Sequence, residues 1–370
     1  MTLGGSPPGA NTFELSLIGC GVGECAVLHL GGGDWAIIDS CCSTRGSEPL
    51  ALTYLNEINV DFAKAVRLVL LTHWHDDHVE GAAKVVEACS AAQVACSAAF
   101  AVDEFRAILS LYGLADRITD KKTSGVRELS VIQEIALRRI ATADDTSHSI
   151  TQTRADHRLY RQADRELVAL APSSGSIHVA HRELGELLQQ LTASKHAIVT
   201  TAPDRNDYSV ALWFKWGPLR AILGGDLEVN ADPGRGWKAV LRCAQFPDGE
   251  AQIIKVAHHG SPNGDSDDVW AQLISKVEPT ALLTAYGKGV KPRPAAEDIA
   301  RLKRRTPAVY YTSLPSKAEI RRDRVVEKEI NAIVRRRRVL ARPVGQIRLR
   351  WTLGAERPVI EVHGTAKKAA

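Results

Sequence analysis

The stretch that decides the fold is an apolar run and the polar cluster after it, Val69-Leu70-Leu71-Thr72-His73-Trp74-His75-Asp76-Asp77-His78. The apolar run predicts a buried β-strand, and the cluster stands where that strand ends. Three imidazoles and two carboxylates within six residues are costly to bury together unless a cation offsets their desolvation. The cluster therefore predicts a divalent metal site at the edge of a sheet.

The composition is typical of an ordinary globular protein, with 370 residues, 45% of them apolar and 24% charged. No uncharged apolar run approaches the roughly 18 residues of a membrane-spanning helix. The N-terminal residues lack the features of a secretory signal, and the seven cysteines show no disulfide-like spacing. We therefore expect a cytoplasmic protein with no membrane partner, in which Cys41 and Cys42 are buried thiols rather than metal ligands.

Positive charge is concentrated in one region, because residues 301–350 hold 16 Lys and Arg against 4 Asp and Glu. Its basic segment, residues 314–343, is predicted to bind nucleic acid through Arg321, Arg322, Arg324, Arg335, Arg336, Arg337 and Arg338. The alternative is a solvated helix whose arginines are offset by Glu327 and Glu329. The sequence leaves both interpretations open.

Strand and helix patterns alternate along the whole chain. Strands are predicted at 13–18, 26–30, 35–39, 67–71, 166–170, 209–214, 219–223, 251–256, 280–284, 309–311, 346–351 and 359–362. Helices are predicted at 49–55, 79–88, 105–114, 126–140 and 295–303, with a loop over 141–164. Without a Gly-rich phosphate loop, this order favours an α+β sandwich of two sheets covered by helices over a doubly wound parallel sheet.

Three predicted strand ends carry metal-ligand residues. His73 and His75 are two residues apart in extended backbone and point to one side, so they suit one metal, while Asp77 and His78 suit a second. The later strand ends add one carboxylate and a histidine pair, at Asp226 and at His258-His259. Imidazole and carboxylate ligands fit one or two divalent ions, Zn or Mn.

The HxHxDH cluster resembles the signature of the metallo-β-lactamase fold superfamily, and the likeness extends over most of the chain. Within that superfamily the chain is most similar to the hydrolase domain of ComEC-type DNA-internalisation proteins. The shared motifs are Gly21-Val22-Gly23-Glu24-Cys25, Leu170-Ala171-Pro172, Asn206-Asp207-Tyr208-Ser209 and Lys255-Val256-Ala257-His258-His259-Gly260-Ser261.

The resemblance implies an αββα sandwich with the metals at one edge. In it Asp226 would bridge the metals, and either His258 or His259 would be the last ligand. Asp39 and Asn206 are expected to support the ligands from behind. The superfamily's usual third histidine has no match, with His148 to His196 as candidates without motif support. One metal would then rest on His73, His75, Asp226 and solvent.

The resemblance and the sequence pattern together predict domain boundaries. Residues 1–313 and 344–364 would form the hydrolase domain. Residues 100–165 would be a helical and loop insertion, residues 314–343 a basic insertion, and residues 365–370 a frayed tail.

The predicted function is a metal-dependent phosphodiesterase or nuclease, in which a metal-activated hydroxide attacks a phosphodiester. Asp77, Asp226 and His258 are the candidate catalytic residues. Two alternatives stay open: hydrolysis of a small ester, lactone, thioester or cyclic nucleotide, and a binding or assembly subunit with a structural or degenerate metal site. A protein partner and the oligomeric state are also left open.

Overall fold

The computed structural model describes residues 5–100, 124–143, 149–193, 205–288, 291–315 and 342–370. Several predicted elements fall outside these residues. They are the helix at 105–114, the candidate histidines His148 and His196, and the nucleic-acid-binding arginines Arg321, Arg322, Arg324, Arg335, Arg336, Arg337 and Arg338.

Two eight-stranded sheets form the centre of the molecule. The first has the order β15-β14-β1-β2-β3-β4-β5-β6, with β1 (Thr12–Gly19), β2 (Glu24–His29), β3 (Trp35–Ile38), β4 (Val66–Leu71), β5 (Gln93–Ser97), β6 (Thr151–Thr153), β14 (Gly345–Thr352) and β15 (Val359–Gly364). The second has the order β16-β13-β12-β11-β10-β9-β8-β7, with β7 (Arg158–Gln162), β8 (Arg165–Ala169), β9 (Leu212–Trp216), β10 (Leu219–Leu223), β11 (Ile253–Lys255), β12 (Thr280–Leu283), β13 (Ala308–Tyr311) and β16 (Lys367–Lys368).

Helices cover the outer face of each sheet. The described helices are α1 (Leu50–Glu57), α2 (Phe62–Ala65), α3 (Asp76–Val79), α4 (Ala82–Ala88), α5 (Ser124–Ala143), α6 (Ser174–Ala193), α7 (Gly236–Cys243), α8 (Asp267–Gln272) and α9 (Ala296–Lys303). Within the part of the chain that the structure covers, none is long and apolar enough to cross a membrane.

The buried side chains form three apolar layers, and β4 shows why. Leu68 and Leu70 belong to the layer between the two sheets, whereas Val69 and Leu71 belong to the layer beneath α1, α4, α5 and α6. A strand buried on both faces reads as a continuous apolar run. A third layer lies under α7, α8 and α9. The predicted sandwich of two sheets between helices is therefore confirmed.

The connections bring several loops to one edge of each sheet. In the first sheet β3, β4 and β5 are parallel neighbours, and in the second β10, β11 and β12 are. Because the carboxyl ends of parallel strands meet at the same edge, the residues after β4, β10 and β11 can converge.

The predicted helix over 79–88 is divided into α3 and α4. Gly81 breaks it with φ of 80°, and a Cβ there would lie 2.8 Å from the sulfur of Cys42. The break leaves Asp76, Asp77 and His78 on a single helical turn, which a short loop separates from the end of β4.

Two of the predicted chain segments differ in the structure. Part of the expected loop and insertion extends the sheets, since β6 pairs with β5 and β7 pairs with β8. The prediction of a frayed tail at 365–370 is wrong, because β16 pairs with the free edge of β13 while Ala366 and Ala369 are buried. Backbone pairing with β13 and burial of the two alanines hold this short segment in place. Its composition alone does not predict that pairing.

Candidate metal centre

The first ligand group is built on the end of β4. His73 is fully buried, and its Nε2 lies 3.0 Å from Nδ1 of His75 and 3.9 Å from Oδ2 of Asp226. Ligand atoms of these three residues lie within 4.8 Å of one another. The structure thus brings together the first set that the sequence predicted.

The second ligand group faces the same carboxylate. Nε2 of His78 lies 3.3 Å from Oδ2 of Asp226 and 3.6 Å from Oδ2 of Asp77. Nε2 of His259 lies 3.3 Å from Oδ2 of Asp77 and 3.7 Å from Oδ2 of Asp226. Asp226 is therefore shared by both groups, as a bridging ligand would be.

Glu24 approaches the second group from the opposite side. Ligand atoms of Glu24, His78, His259 and Asp226 lie within 4.8 Å of one another. The oxygens of Glu24, however, lie 3.8 Å from Nδ1 of His78 and 3.4 Å from Nδ1 of His259. Since the Nε2 atoms face Asp77 and Asp226, we assign Asp77 to the ligand group and Glu24 to its support.

The Nδ1 atoms of the ligand histidines are held from behind. Asp39 accepts from Nδ1 of His78 at 2.7 Å and from the backbone N–H and hydroxyl of Thr72 at 2.8 Å. The hydroxyl of Thr284 lies 3.0 Å from Nδ1 of His259. Such contacts fix the ring orientation and direct Nε2 towards a metal. Asp39 thus stands where the sequence prediction put it.

The backbone conformation around Gly225 and His259 positions Asp226 and His259 in the cluster. Gly225 has φ of 53°, and a Cβ there would lie 2.6 Å from both Oγ of Ser209 and the carbonyl of Val210. That serine hydroxyl also accepts from the backbone N–H of Asp226 at 3.0 Å. His258 and His259 have φ of 48° and 53°, a conformation that L-residues rarely adopt and that clusters at functional sites.

A buried ion pair that sequence reasoning missed lies beneath the cluster. Nζ of Lys255 is 2.5 Å from Oε1 of Glu24 and 3.7 Å from Oδ1 of Asp226, and it donates to the carbonyl of Gly225 at 2.8 Å. Both residues stand in the quoted motifs. No short-range signal pairs them, because one lies on β2 and the other on β11.

The charge state of the cluster explains why it suits a cation. Burial and the neighbouring His78 and His75 hold the pKa of His73 well below its usual value, which keeps an imidazole lone pair available. Burial opposes a charge on His78, yet the carboxylates, led by Asp226 and Asp39, raise its pKa well above the usual value. Metal binding would therefore release a proton from His78.

The buried polar atoms also fit a metal. Among the described residues, Oδ1 of Asp226 is buried without a hydrogen-bond partner. Such an unpaired atom is costly, and coordination would satisfy it. Imidazole nitrogen and carboxylate oxygen are ligands that zinc and manganese accept. The donor set is thus that of a divalent metal site.

His258 lies beside the cluster rather than in it. Its Nδ1 is 2.7 Å from Oε1 of Glu228, and that oxygen also accepts from the amide of Asn206 at 2.8 Å. Burial opposes the charged imidazole, but the bond to Glu228 raises the pKa of His258. Of the histidine pair, His259 joins the ligand group and His258 borders it.

No further histidine joins the first group within the described residues, where Asp226 is its remaining ligand. His181 instead contacts the carbonyl of Ala98 at 3.2 Å. The two histidines at 148 and 196 fall outside the described part of the chain.

Comparisons with known proteins agree with this geometry. Residues 18–112, which include the HxHxDH cluster, match the sequence profile described as "Metallo-beta-lactamase superfamily". A stretch of 123 residues is 31% identical to ComE operon protein 3 of Bacillus subtilis (strain 168). That match spans 32% of this chain and 15% of the relative's length.

Two solved structures are distantly similar. The metallo-β-lactamase fold protein YhfI from Bacillus subtilis has a TM-score of 0.37 at 11% identity, covering 81% of this chain and 95% of its own. A mutant of the CmlA beta-hydroxylase has a TM-score of 0.36 at 13% identity, covering 94% of this chain and 55% of its own. The part of the chain around the cluster is thus similar to the metallo-beta-lactamase superfamily and to ComE operon protein 3.

Proposed function

We propose that this protein is a metal-dependent phosphodiesterase whose substrate is a nucleic acid or another phosphodiester, with Zn or Mn as its metal. The observation that carries the proposal is the sharing of Asp226 by two ligand groups. Two divalent ions held by such groups would acidify a water and neutralise charge on phosphoryl oxygens. The remaining steps are assigned to the chain's own residues.

Asp77 is suited to orient the attacking water. Its Oδ2 stands between the Nε2 atoms of His78 and His259, and its side chain is 10% exposed. Burial opposes its charge, but His78 and His259 hold the pKa of Asp77 below the usual value, so it accepts a hydrogen bond at neutral pH. An acceptor placed between these two ring nitrogens would align a water with the phosphorus.

His258 is suited to protonate the leaving oxygen. Its side chain is 27% exposed, and Glu228 favours the imidazolium form. Nδ1 is held by the carboxylate, and Nε2 lies 3.5 Å from the amide nitrogen of Asn206 at the border of the cluster. A histidine held by a carboxylate and bordering the reacting group is the usual arrangement of a general acid.

Cations near the cluster favour an anionic substrate. Arg342 lies 3.9 Å from Glu80, which follows His78 by two residues. Burial raises the pKa of Glu80. Three cations, Arg342, Lys288 and Arg45, oppose that rise. Together with the resemblance to ComEC-type proteins, these cations support an anionic substrate.

A second candidate function is hydrolysis of a small ester, thioester or lactone with an apolar group. The observation that favours it is a cavity of about 350 Å³ between β4, β5 and α5, lined by Leu71, Phe100, Leu129 and Ile132 among others. Trp74, inside the HxHxDH cluster, stacks on Phe100 with ring centroids 5.2 Å apart. The cavity therefore lies next to the candidate centre.

A metal-by-substrate screen tests the proposal. Purified protein with Mn²⁺, Zn²⁺ or a chelator would be given single- and double-stranded DNA, RNA, cyclic nucleotides, bis(p-nitrophenyl) phosphate, a lactone and a thioester. We expect cleavage of the phosphodiesters that the chelator abolishes. Asp77→Asn and Asp226→Asn should lose it, whereas Asp61→Asn, at an exposed pair with Lys64, should keep it.

Three outcomes would contradict the proposal. Full metal-dependent cleavage by both cluster variants would mean that the site is wrong. Turnover of the lactone or thioester alone would favour the second candidate. Metal binding without any turnover would favour a binding or assembly role.

A further inference from the structure

A fourth strand end reaches the metal centre, and its role is not yet assigned. β12 runs parallel to β11, and the chain continues from it through Thr284 and Ala285 to Tyr286. The ring of Tyr286 stacks on that of His259, with centroids 5.2 Å apart and an interplanar angle of 17°. Tyr286 therefore covers the face of a ligand imidazole and is itself half-buried.

The phenol of Tyr286 lies at the border of the cluster, because its ring stacks on that of His259. No described residue forms a hydrogen bond with the phenolic oxygen, and the main-chain bonds of Tyr286 go elsewhere. An O–H group thus stands at the border of the cluster with its donor unused by these residues.

The main chain holds Tyr286 in place. Tyr286 and Arg293 exchange backbone hydrogen bonds of 2.7 and 2.8 Å, and the next N–H, of Gly287, donates to Gly21 at 2.8 Å. The guanidinium of Arg293 donates to Asp298 at 2.6 Å. A side chain on such a support is pre-organised, which is the usual requirement for a group that binds substrate.

We propose that Tyr286 contacts the substrate, with its phenolic O–H donating to a non-bridging oxygen of the phosphoryl group at the metal centre. This assignment rests on the proposed phosphodiesterase function. The ring would keep water from one face of His259, and the hydroxyl would supply an uncharged hydrogen-bond donor. A phosphoryl oxygen is a strong acceptor and would use the free donor.

Tyr286→Phe tests the proposal, because it keeps the stacked ring and removes only the hydroxyl. Thymidine 5′-monophosphate binding to Zn²⁺-loaded protein would be measured by calorimetry, and kcat/KM on bis(p-nitrophenyl) phosphate alongside it. Hydrogen bonds to charged groups lead us to expect binding weakened about 10- to 100-fold and a similar loss of kcat/KM. Metal content and thermal stability should stay unchanged. The matched control is Tyr310→Phe on β13, whose ring lies near Lys368.

The outcomes separate this assignment from the proposed function. If the wild-type protein binds thymidine 5′-monophosphate and Tyr286→Phe binds it equally well, the contact is refuted while the phosphodiesterase proposal stands. If Tyr286→Phe loses metal as well, its role is support of His259 and not substrate contact. If the loaded wild-type protein neither binds the nucleotide nor cleaves a phosphodiester, both fail together.

Discussion

Removing the ammonium of Lys255 should destabilise the metal-free protein strongly. Lys255 and Glu24 are 3% and 5% exposed at the side chain, and their charged atoms are 2.5 Å apart. Lys255→Met leaves a buried carboxylate without its counter-charge, a change that costs about 3–5 kcal/mol in buried pairs. The carbonyl of Gly225 also loses its donor, 2.8 Å away, so the upper part of that range is expected.

Urea unfolding of chelator-treated protein, followed by tryptophan fluorescence, measures the loss. The exposed Lys64→Met is the matched control and should change the free energy of unfolding by less than about 1 kcal/mol, because its pair with Asp61 is solvated. Adding Glu24→Gln to Lys255→Met should restore part of the stability. A coupling energy above about 1.5 kcal/mol in the double-mutant cycle is expected.

The loss of stability in Lys255→Met should become smaller as the pH falls. Burial raises the pKa of Glu24, but Lys255 and the histidines outweigh it and hold that pKa below the ordinary 4.5. A carboxylate with a lowered folded-state pKa adds stability above its unfolded value and loses it as the pH falls through the folded value. The difference between wild type and Lys255→Met should therefore be full at pH 7 and shrink below about pH 4.5. A Lys255→Met variant within 1 kcal/mol of wild type at pH 7 would refute this reasoning.

Three further predictions concern the metal groups and their support. His75→Ala should lose one equivalent of metal and keep the other, because His75 serves only the first group; elemental analysis after dialysis checks this, and loss of both equivalents would contradict it. Asp39→Asn should weaken metal affinity roughly 10- to 100-fold in competition with a chromogenic chelator, since Asp39 orients His78; unchanged affinity would count against that role. Asp298→Ala should cost about 1–3 kcal/mol at pH 7, because its buried carboxylate accepts from Arg293 and Arg301, which hold the pKa of Asp298 low against burial. That contribution is present above the ordinary pKa of 3.8 and lost in acid, so a stability gap that persists at pH 2 would contradict it.

Much of the fold and of the candidate site can be predicted from short segments of the sequence. The apolar run of β4 carries its own burial pattern, because its alternate residues fill the layers on the two faces of the sheet. The spacing of His73 and His75 predicts that they share one side, and the structure brings them within 3.0 Å of each other. These features depend on residues close together in the sequence. The alternation of side chains along an extended backbone determines how such residues are placed.

The choice between His258 and His259 was decided only by tertiary structure. The two are adjacent, of one residue type and at one strand end, so no local pattern separates them. Their surroundings separate them: Thr284 and Tyr286, which follow β12, contact His259, while Glu228 contacts His258. The strand β16, formed by residues near the end of the chain, was likewise decided by tertiary structure, because it forms only by pairing with the edge of β13.

The sequence by itself thus determined which residue types stand at each strand end, and it predicted a metal that would offset their charge. Tertiary structure decided which of them meet. Lys255 and Glu24 show the reason: their ion pair exists only because two distant strands face each other across the sandwich. Pairing over such sequence separations depends on packing of the whole chain and leaves no periodic trace near either residue.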